Sequence, residues 1–341
     1  MTAVTAIAGS VLLTGALVAG CGSTSGAGGG APTVTIGKAV DTVGFSAVDV
    51  AIAKGYFKDA GVNVKTVLLQ GSSQTNAALQ GGSIQLATLS SNALLLATSQ
   101  GVQLQAVASL DYGASIQFVV SKDWMAKKGI TAQQPLKQRI QGLRGAQDAA
   151  ISSTGTQFLK LLLTQSGVPT SSVKYVTVGS DAAGAAALQH GTLQIFVGSP
   201  PASYYIARKA GAEILAGGSE VPEWKNMAYD LLVTTPSYAQ RNTQATKAVA
   251  TAMARAENLM RTDPRAVLAL ETEHFPSYSQ DDLLKALKNV QWSPDGQFTQ
   301  AMWNDALAVT KDTGQLGGDV DVSEGTLWTN QYIDRAAAQK P

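Results

Sequence analysis

The chain has 341 residues, of which 45% are hydrophobic and only 14% charged, and its formal net charge is +1. This apolar content is too high and this net charge too small for a disordered chain, and 25 Lys and Arg balanced by 24 Asp and Glu give no basic surface for nucleic acid. A length above about 300 residues favours two domains. A single cysteine excludes a disulfide framework, an iron–sulfur cluster and a cysteine-rich zinc site.

The one cysteine, Cys21, follows an uncharged apolar run over residues 4–18 and the sequence Leu-Val-Ala-Gly over 17–20. The run is short for a transmembrane helix of about 20 residues but fits the apolar region of a secretory signal. With Cys21 it resembles the lipobox of bacterial lipoproteins, in which the signal is cleaved before the cysteine and the sulfur is acylated. The usual basic residues are missing, since no Lys or Arg precedes Lys38.

We therefore expect a lipoprotein signal peptide over residues 1–20 and a flexible Gly- and Ser-rich tether over 21–32. The mature chain would begin at Cys21, and its acyl chains, palmitate among them, would anchor it to the cell membrane. A buried core cysteine or an uncleaved signal anchor is the alternative interpretation.

Beyond the tether, short apolar runs alternate with segments of helical period, which predicts a chain of alternating strands and helices. The predicted strands are 34–37, 64–69, 84–89 and 104–110. The predicted helices are 46–60, 72–80 and 92–99, and the first is preceded by a turn over 41–45 and ended by Gly61. Strands separated by helical crossovers pair in parallel, so the pattern predicts an α/β fold.

An internal repeat indicates that one structural unit occurs twice. Residues 64–67 (VKTV) align with 173–176 (VKYV) at an offset of 109, and 77–86 align with 186–195 without a gap. This period lies far above the 20 to 50 residues of solenoid repeats, so it favours a duplicated lobe. Chance likeness between two alanine-rich βαβ units is the alternative.

Two extended apolar segments, 117–123 and 230–235, bracket the second copy, and we interpret them as two strands that cross between lobes. This interpretation makes the first lobe discontinuous, over residues 33–121 and 232–341, and assigns 122–231 to the second lobe. Helices predicted over 243–261, 263–274, 280–289 and 296–311 would pack on the first lobe and the hinge.

Three segments resemble the substrate-binding proteins of ABC transporters for sulfonate, taurine and nitrate and the related NMT1/THI5-like group. They are Gly44-Phe45-Ser46 followed by 53–64 (AKGYFKDAGVNV), then 78–87 (ALQGGSIQLA) and 142–145 (GLRG). The resemblance implies a type II periplasmic-binding-protein fold, an extracytoplasmic location, a ligand clamped between two lobes, and an ABC permease with its ATPase as partners. The chain departs from the family pattern at Gln85 and Gln194, where an acidic residue is usual.

The expected ligand site follows from the fold class. Ligands of open α/β sheets bind beyond the carboxyl ends of the strands, where helix N-termini present unpaired N–H groups. The first lobe would contribute Asp41, Val43, Gly44, Phe45, Gly71, Ser72, Ser73, Gln74, Ser90, Ser91, Asn92, Asp111 and Tyr112. The second lobe would contribute Ser153, Thr154, Gly155, Thr156, Ser180, Asp181, Ser199, Pro200 and Tyr204. Ordinary N-capping without ligand contact is the alternative for each serine.

The composition of these loops limits the ligand, because they contain aspartates and aromatic residues but no Lys or Arg. A small dianion such as sulfate would be poorly neutralised. A sulfonate or carboxylate could still bind backbone N–H groups, and a heterocyclic nitrogen compound would suit the acidic and aromatic side chains equally well.

Catalysis and metal binding have little support in the sequence. Of the two histidines, His190 occupies the helix-ending position that Gly81 takes in the first copy, and His274 shares a helix face with Glu271 but lacks a third zinc ligand. We therefore predict a monomeric solute-binding lipoprotein that is not an enzyme, holds no cofactor or metal, and binds a small molecule rather than nucleic acid. A ligand-sensing receptor and an extracytoplasmic enzyme are the alternatives.

Overall fold

The computed structural model describes residues 31–69, 71–150 and 153–340, so the predicted signal peptide, Cys21 and most of the tether lie outside the described residues. The strands are β1 (Thr33–Lys38), β2 (Asn63–Leu68), β3 (Leu86–Ser90), β4 (Gln105–Ser109), β5 (Asp111–Tyr112), β6 (Gln117–Val120), β7 (Gln147–Ala150), β8 (Lys174–Thr177), β9 (Ile195–Gly198), β10 (Glu213–Gly217), β11 (Asp230–Thr234) and β12 (Gln291–Trp292).

The helices are α1 (Ala47–Ala53), α2 (Tyr56–Asp59), α3 (Ser72–Gln80), α4 (Ser91–Ser99), α5 (Lys122–Lys128), α6 (Leu136–Gln141), α7 (Ser153–Gln165), α8 (Asp181–Gln189), α9 (Ala202–Ala210), α10 (Pro222–Lys225), α11 (Pro236–Arg241), α12 (Thr243–Thr262), α13 (Arg265–His274), α14 (Gln280–Asn289), α15 (Gln300–Asp312) and α16 (Arg335–Ala338). The single helix predicted over 46–60 is wrong. It breaks between α1 and α2 because Gly55 adopts a left-handed conformation with φ of 77°.

The strands form two five-stranded sheets of equivalent topology, in the orders β2-β1-β3-β11-β4 and β8-β7-β9-β6-β10. In the first sheet β1 pairs in parallel with β2 and β3, while β11 runs antiparallel to β3 and β4. In the second sheet β7 pairs in parallel with β8 and β9, while β6 runs antiparallel to β9 and β10. The α/β class predicted from the sequence is confirmed, and each sheet holds one strand that runs against its neighbours.

The two glutamines at which the chain departs from the family pattern have the same structural role. The Gln85 side chain accepts a hydrogen bond from the backbone N–H of Thr35 (2.9 Å) and donates one to a carbonyl of the preceding turn (3.1 Å). Gln194 accepts from the N–H of Gln147 (2.9 Å) and donates to its own turn (2.8 Å). An amide can do both, whereas a carboxylate can only accept, which explains why glutamine suits both copies.

The chain passes between the sheets twice, between β5 and β6 and between α10 and β11. The two segments predicted to cross are themselves sheet strands, because β6 pairs within the second sheet and β11 within the first. Buried aromatic rings pack near these passages. The Phe158 ring meets Trp224 edge-on at 4.7 Å between centroids, and Phe118 lies 6.3 Å from Trp224. Within the described ranges no helix combines the length and apolar character needed to cross a bilayer.

Candidate functional site

A cavity of about 360 Å³ lies where the carboxyl ends of the strands of both sheets face each other. Its walls come from the loop after β1, from the N-terminal turns of α3, α7 and α8, and from the loop after β9. Strands β9 and β11 and the segment between α13 and α14 complete it. A larger groove of about 700 Å³ lies beside α3 and α11. The described residues that line it all come from the part of the chain around the first sheet, so the second copy of the repeat does not contribute to it.

Many of the predicted site residues line this cavity. They are Asp41, Gly44, Phe45, Ser72, Ser90, Thr154, Gly155, Asp181, Ser199 and Pro200. Ser90 lines the cavity and also caps α4, since its hydroxyl accepts a hydrogen bond from the N–H of Ala93 (3.3 Å) at the start of that helix. The ligand contact predicted for these residues remains a prediction.

Other predicted residues lie outside the described wall of the cavity, namely Val43, Gly71, Ser73, Gln74, Ser91, Asn92, Asp111, Tyr112, Thr156, Ser180 and Tyr204. Val43 and Ser91 are fully buried, and the Ser180 hydroxyl caps α8. The Asn92 amide reaches across to Gln157 of α7 (3.2 Å). The side chain of Ser153 is not among those that the structure describes.

The cavity also has walls that the sequence analysis did not predict. These are Ala39, Val40, Ser115, Ile116, Phe196, Val197, Ala202, Tyr229, Asp230, Phe275 and Tyr278. Thr42, Gly198 and Pro201, which belong to the same loops as predicted site residues, also line it. Asp230 offered one usable indication, since it is an acidic residue placed directly before the apolar strand sequence Leu-Leu-Val. Phe275 and Tyr278 follow α13, a helix whose sequence gave no indication of proximity to the site.

The floor of the cavity includes a buried aspartate, Asp230, and a second buried aspartate, Asp111, lies behind it. Asp230 is 7% exposed and Asp111 fully buried, and an Asp111 carboxylate oxygen accepts a hydrogen bond from the backbone N–H of Asp230 (2.8 Å). Burial raises the pKa of Asp230 to about 7. Burial, reinforced by repulsion from Asp230, raises the pKa of Asp111 well above its usual range. The backbone fits tightly here, because a Cβ on Gly44 would lie 2.3 Å from Asp230 Oδ2.

A third buried acid lies behind this pair. Glu257 of α12 is fully buried, and neither of its carboxylate oxygens has a hydrogen-bond partner among the described residues. Burial, with repulsion from Asp111 and Asp295, raises its pKa well above the usual range. An uncompensated charge at such depth is strongly unfavourable, so burial favours the protonated form of Glu257.

One rim of the cavity carries a compact ion network. The buried Lys38 donates to Asp41 (2.7 Å) and to Asp49 (2.9 Å), and His274 Nε2 lies 3.0 Å from Asp41. Burial raises the pKa of Asp41, but the hydrogen bonds from His274 and Lys38 outweigh burial and lower it. Asp41, Asp49 and His274 have the spacing of a metal-binding group. The ammonium of Lys38 already bonds both carboxylates, so a cation would have to displace it.

His274 and Glu271, which share a helix face in the sequence, have separate roles in the structure. The Glu271 carboxylate accepts a hydrogen bond from the Ser46 hydroxyl (2.9 Å) and is buried. Burial raises its pKa to about 7 in spite of that hydrogen bond. His274 instead bonds Asp41, so these two residues do not form a common ligand pair in this arrangement.

Side chains bridge the two sides of the cavity at its mouth. The Tyr278 hydroxyl donates to Asp181 of α8, and its ring meets Tyr205 of α9 edge-on at 5.7 Å. Burial raises the pKa of Asp181, although the hydrogen bond from Tyr278 opposes this effect. Arg208 of α9 forms an ion pair with Asp282 of α14. These contacts join α8 and α9 of the second copy to the segment around α14, so they close one edge of the cavity.

Comparisons with known proteins agree with this architecture. A family model described as NMT1/THI5 like matches residues 43–267. The alkanesulfonate-binding protein SsuA of Xanthomonas axonopodis pv. citri bound to MOPS is structurally similar, with a TM-score of 0.65, 16% identity, and coverage of 90% of this chain and 97% of that one. For the periplasmic aliphatic sulphonate binding protein SsuA of Escherichia coli the TM-score is 0.68 at 17% identity, with coverage of 88% and 99%.

A third similar structure is the periplasmic nitrate-binding protein NrtA of Synechocystis PCC 6803, with a TM-score of 0.60, 15% identity, and coverage of 75% of this chain and 70% of that one. None of the curated proteins matches the chain. At these identities the similarity establishes the fold, and the predicted periplasmic-binding-protein fold is confirmed.

Proposed function

The chain belongs to the NMT1/THI5-like family, and we propose that it is the solute receptor of an ABC importer, which captures a small organic molecule and delivers it to a permease. The observation that carries the proposal is the cavity of about 360 Å³, to which both copies of the internal repeat contribute loops at the carboxyl ends of their strands. Structurally similar proteins support it, since they include sulfonate- and nitrate-binding proteins of the periplasm.

The proposed mechanism is a clamp formed by two lobes, residues 33–121 with 232–341 and residues 122–231. A ligand that contacts both lobes binds the closed form better than the open form, and this difference in affinity drives closure. The N-terminal turns of α7 and α8 would present backbone N–H groups to the ligand. Gly155 permits this placement of α7, because a Cβ there would lie 3.0 Å from the Val197 carbonyl oxygen of β9.

We further propose that the receptor acts as a lipid-anchored monomer outside the cytoplasmic membrane. The lipobox-like sequence before Cys21 and the Gly- and Ser-rich residues after it support this proposal. Two or more acyl chains give stable membrane attachment, which keeps the receptor near its permease while the tether lets it reorient. The permease and its ATPase would supply the energy of transport.

A binding role suits the cleft better than catalysis. Nucleophilic hydroxyl catalysis needs a base within hydrogen-bond reach of the nucleophile. Among the described residues that line the cavity, no serine or threonine is hydrogen-bonded to a histidine, and His274 is held by Asp41. A signalling receptor would use the same clamp, and adjacent genes for a permease and an ATPase would favour import.

The proposal can be tested by a thermal-shift screen of the purified mature protein against sulfonates, carboxylates, amino acids, pyrimidines and aromatic amines. A ligand at about 100 times its Kd would stabilise the protein by about 2.7 kcal/mol. We expect one equivalent of ligand to be recovered chemically unchanged, and the loaded receptor to stimulate ATP hydrolysis by its permease in vesicles. Consumption of the compound would favour an enzyme, and failure to stimulate the permease would favour a signalling receptor.

A further inference from the structure

The floor of the cavity presents a carboxylate that has no partner in the protein. Asp230 lines the cavity and is 7% exposed, and its side-chain oxygens form no hydrogen bond or ion pair with any described residue. A buried carboxylate without a partner is costly, and proteins normally pair such a group or bind a cation to it. The unpaired acceptor is therefore aimed at whatever occupies the cavity.

The described residues next to Asp230 include a second buried acid and no base that could pair with it. Asp111 lies directly behind it, and Asp111 Oδ2 is buried without a hydrogen-bond partner among the described residues. Burial raises the pKa of Asp230 to about 7, so a proton or another positive group is needed to stabilise it. A cationic ligand would supply that charge and would lower the pKa of the carboxyl on binding.

No basic side chain among the described residues of the cavity wall could neutralise Asp230 in place of a ligand. The described residues that line it include Asp41 and Asp181 as well as Asp230, and they include no Lys or Arg. Lys38 of the rim network is bonded to two carboxylates at 2.7 and 2.9 Å. Arg208 at the cavity mouth is paired with Asp282. The charged side chains of the described wall therefore favour cations over anions, although the N-terminal turns of α3, α7 and α8 also face the cavity.

The remaining walls are aromatic. Rings of Phe45, Phe196, Tyr229, Phe275 and Tyr278 line the cavity. Aromatic faces attract cations and pack against flat apolar bodies, and the attraction strengthens when the cation is desolvated. This combination of one unpaired acid with aromatic walls is typical of a site for an organic cation rather than for an inorganic ion.

We propose that the cleft selects small organic cations, with a ligand ammonium or amidinium group bound by Asp230 and its apolar or aromatic body held between the rings of the wall. This inference rests on the proposed function as a solute receptor and narrows its ligand class. Asp181 contributes a second acidic group at the opposite side of the cavity.

A matched series of probes tests this selection by charge at constant shape. Benzamidine, benzamide and benzoate share one ring and a planar substituent but carry positive, zero and negative charge. Isothermal titration calorimetry with the mature protein at pH 7.5 and low salt should find benzamidine bound at least about tenfold more tightly than benzamide, and benzoate bound more weakly than either.

Substitution of the acid provides the second arm of the test. Asp230→Asn keeps the shape and removes the charge, so it should weaken benzamidine binding by about tenfold or more while changing benzamide binding by less than about threefold. Asp319→Asn, at a fully exposed carboxylate, is the matched control and should change neither affinity. The melting temperature of each variant reports on folding, and the probe series on wild type stands even if Asp230→Asn fails to fold.

The outcomes separate this inference from the proposed function. Benzamide or benzoate binding as tightly as benzamidine, or no benzamidine binding at about 10 mM, overturns the cation preference. An Asp230→Asn variant that binds benzamidine as wild type does overturns the assignment of the carboxylate. Tight binding of benzoate or of a sulfonate in the thermal-shift screen, with stimulation of the permease, would overturn the cation inference alone and leave the solute-receptor function in place.

Discussion

Replacing Asp148 is expected to stabilise the protein at neutral pH. Asp148 lies in β7, is fully buried, and has no hydrogen-bond partner for either carboxylate oxygen among the described residues. Its register neighbours are Tyr175 and Ile195, as Thr66 and Leu86 are the neighbours of Ile36 in β1. The second copy thus holds an acid at the position where the first copy holds a buried isoleucine.

The expected magnitude follows from the shift in acidity. Burial raises the pKa of Asp148 from 3.8 to about 8. Well below pH 3.8 the carboxyl is protonated in both the folded and the unfolded chain, so ionisation has no effect on stability there. As the pH rises, the unfolded chain releases its proton first, and the free energy of unfolding falls by about 4 kcal/mol by pH 7. A residue that cannot ionise removes this loss.

Urea unfolding followed by tryptophan fluorescence at pH 5 and pH 8 measures the effect. Asp148→Asn tests ionisation alone, and Asp148→Val also restores an apolar side chain with little change in volume. Both should be more stable than wild type at pH 8 and lose less stability between the two pH values, and Asp312→Asn at an exposed site is the control. Asp230 and Glu271, with pKa values near 7, leave a residual slope. Variants with the full wild-type slope would refute the reasoning.

Three further substitutions test the site, the repeat and the anchor. Gly44→Ala should weaken benzamidine binding by about tenfold, because its Cβ would lie 2.3 Å from an Asp230 oxygen, whereas Gly179→Ala, with no atom near its Cβ, should bind normally in the same titration. Gln194→Ala removes two side-chain hydrogen bonds and should lower the free energy of unfolding by about 1–3 kcal/mol in urea, and an unchanged midpoint would contradict its structural role. Cys21→Ser should abolish palmitate labelling and membrane fractionation, and a variant that still sediments with membranes would count against lipidation.

The parts of the fold that the sequence predicts are those decided by local pattern. Alternating apolar runs and helical periods specify the strands and helices within a few residues. The junctions from strand to helix carry their own residue preferences, so Ser72, Ser90, Thr154 and Asp181 could be placed at the cavity from the sequence. The offset of 109 between the copies also anticipates the equivalent order of strands in the two sheets.

The parts that the sequence does not predict depend on contacts between distant segments. Asp111 directly follows β4, so the sequence predicted that it would line the cavity. Because β11 pairs with β4, Asp230 lines the cavity instead and Asp111 lies behind Asp230. Phe275 and Tyr278 reach the cavity only because α13 and α14 pack where the two sheets face each other. The periodicity of these segments does not indicate how they pack against the sheets, so composition and spacing could not identify Phe275 and Tyr278 as cavity residues.

In the proposed clamp, Asp181 would link the charge of the ligand to closure. It lines the cavity and also accepts the hydrogen bond from Tyr278, which lies between α13 and α14 in the proposed first lobe. A cation near Asp181 would stabilise its ionised form, and an ionised carboxylate accepts a stronger hydrogen bond than a neutral one. Binding at Asp230 and Asp181 would therefore strengthen the contact that bridges the lobes. An anion would weaken the same contact by repulsion, so under these two proposals a cationic ligand would favour closure and an anionic ligand would oppose it.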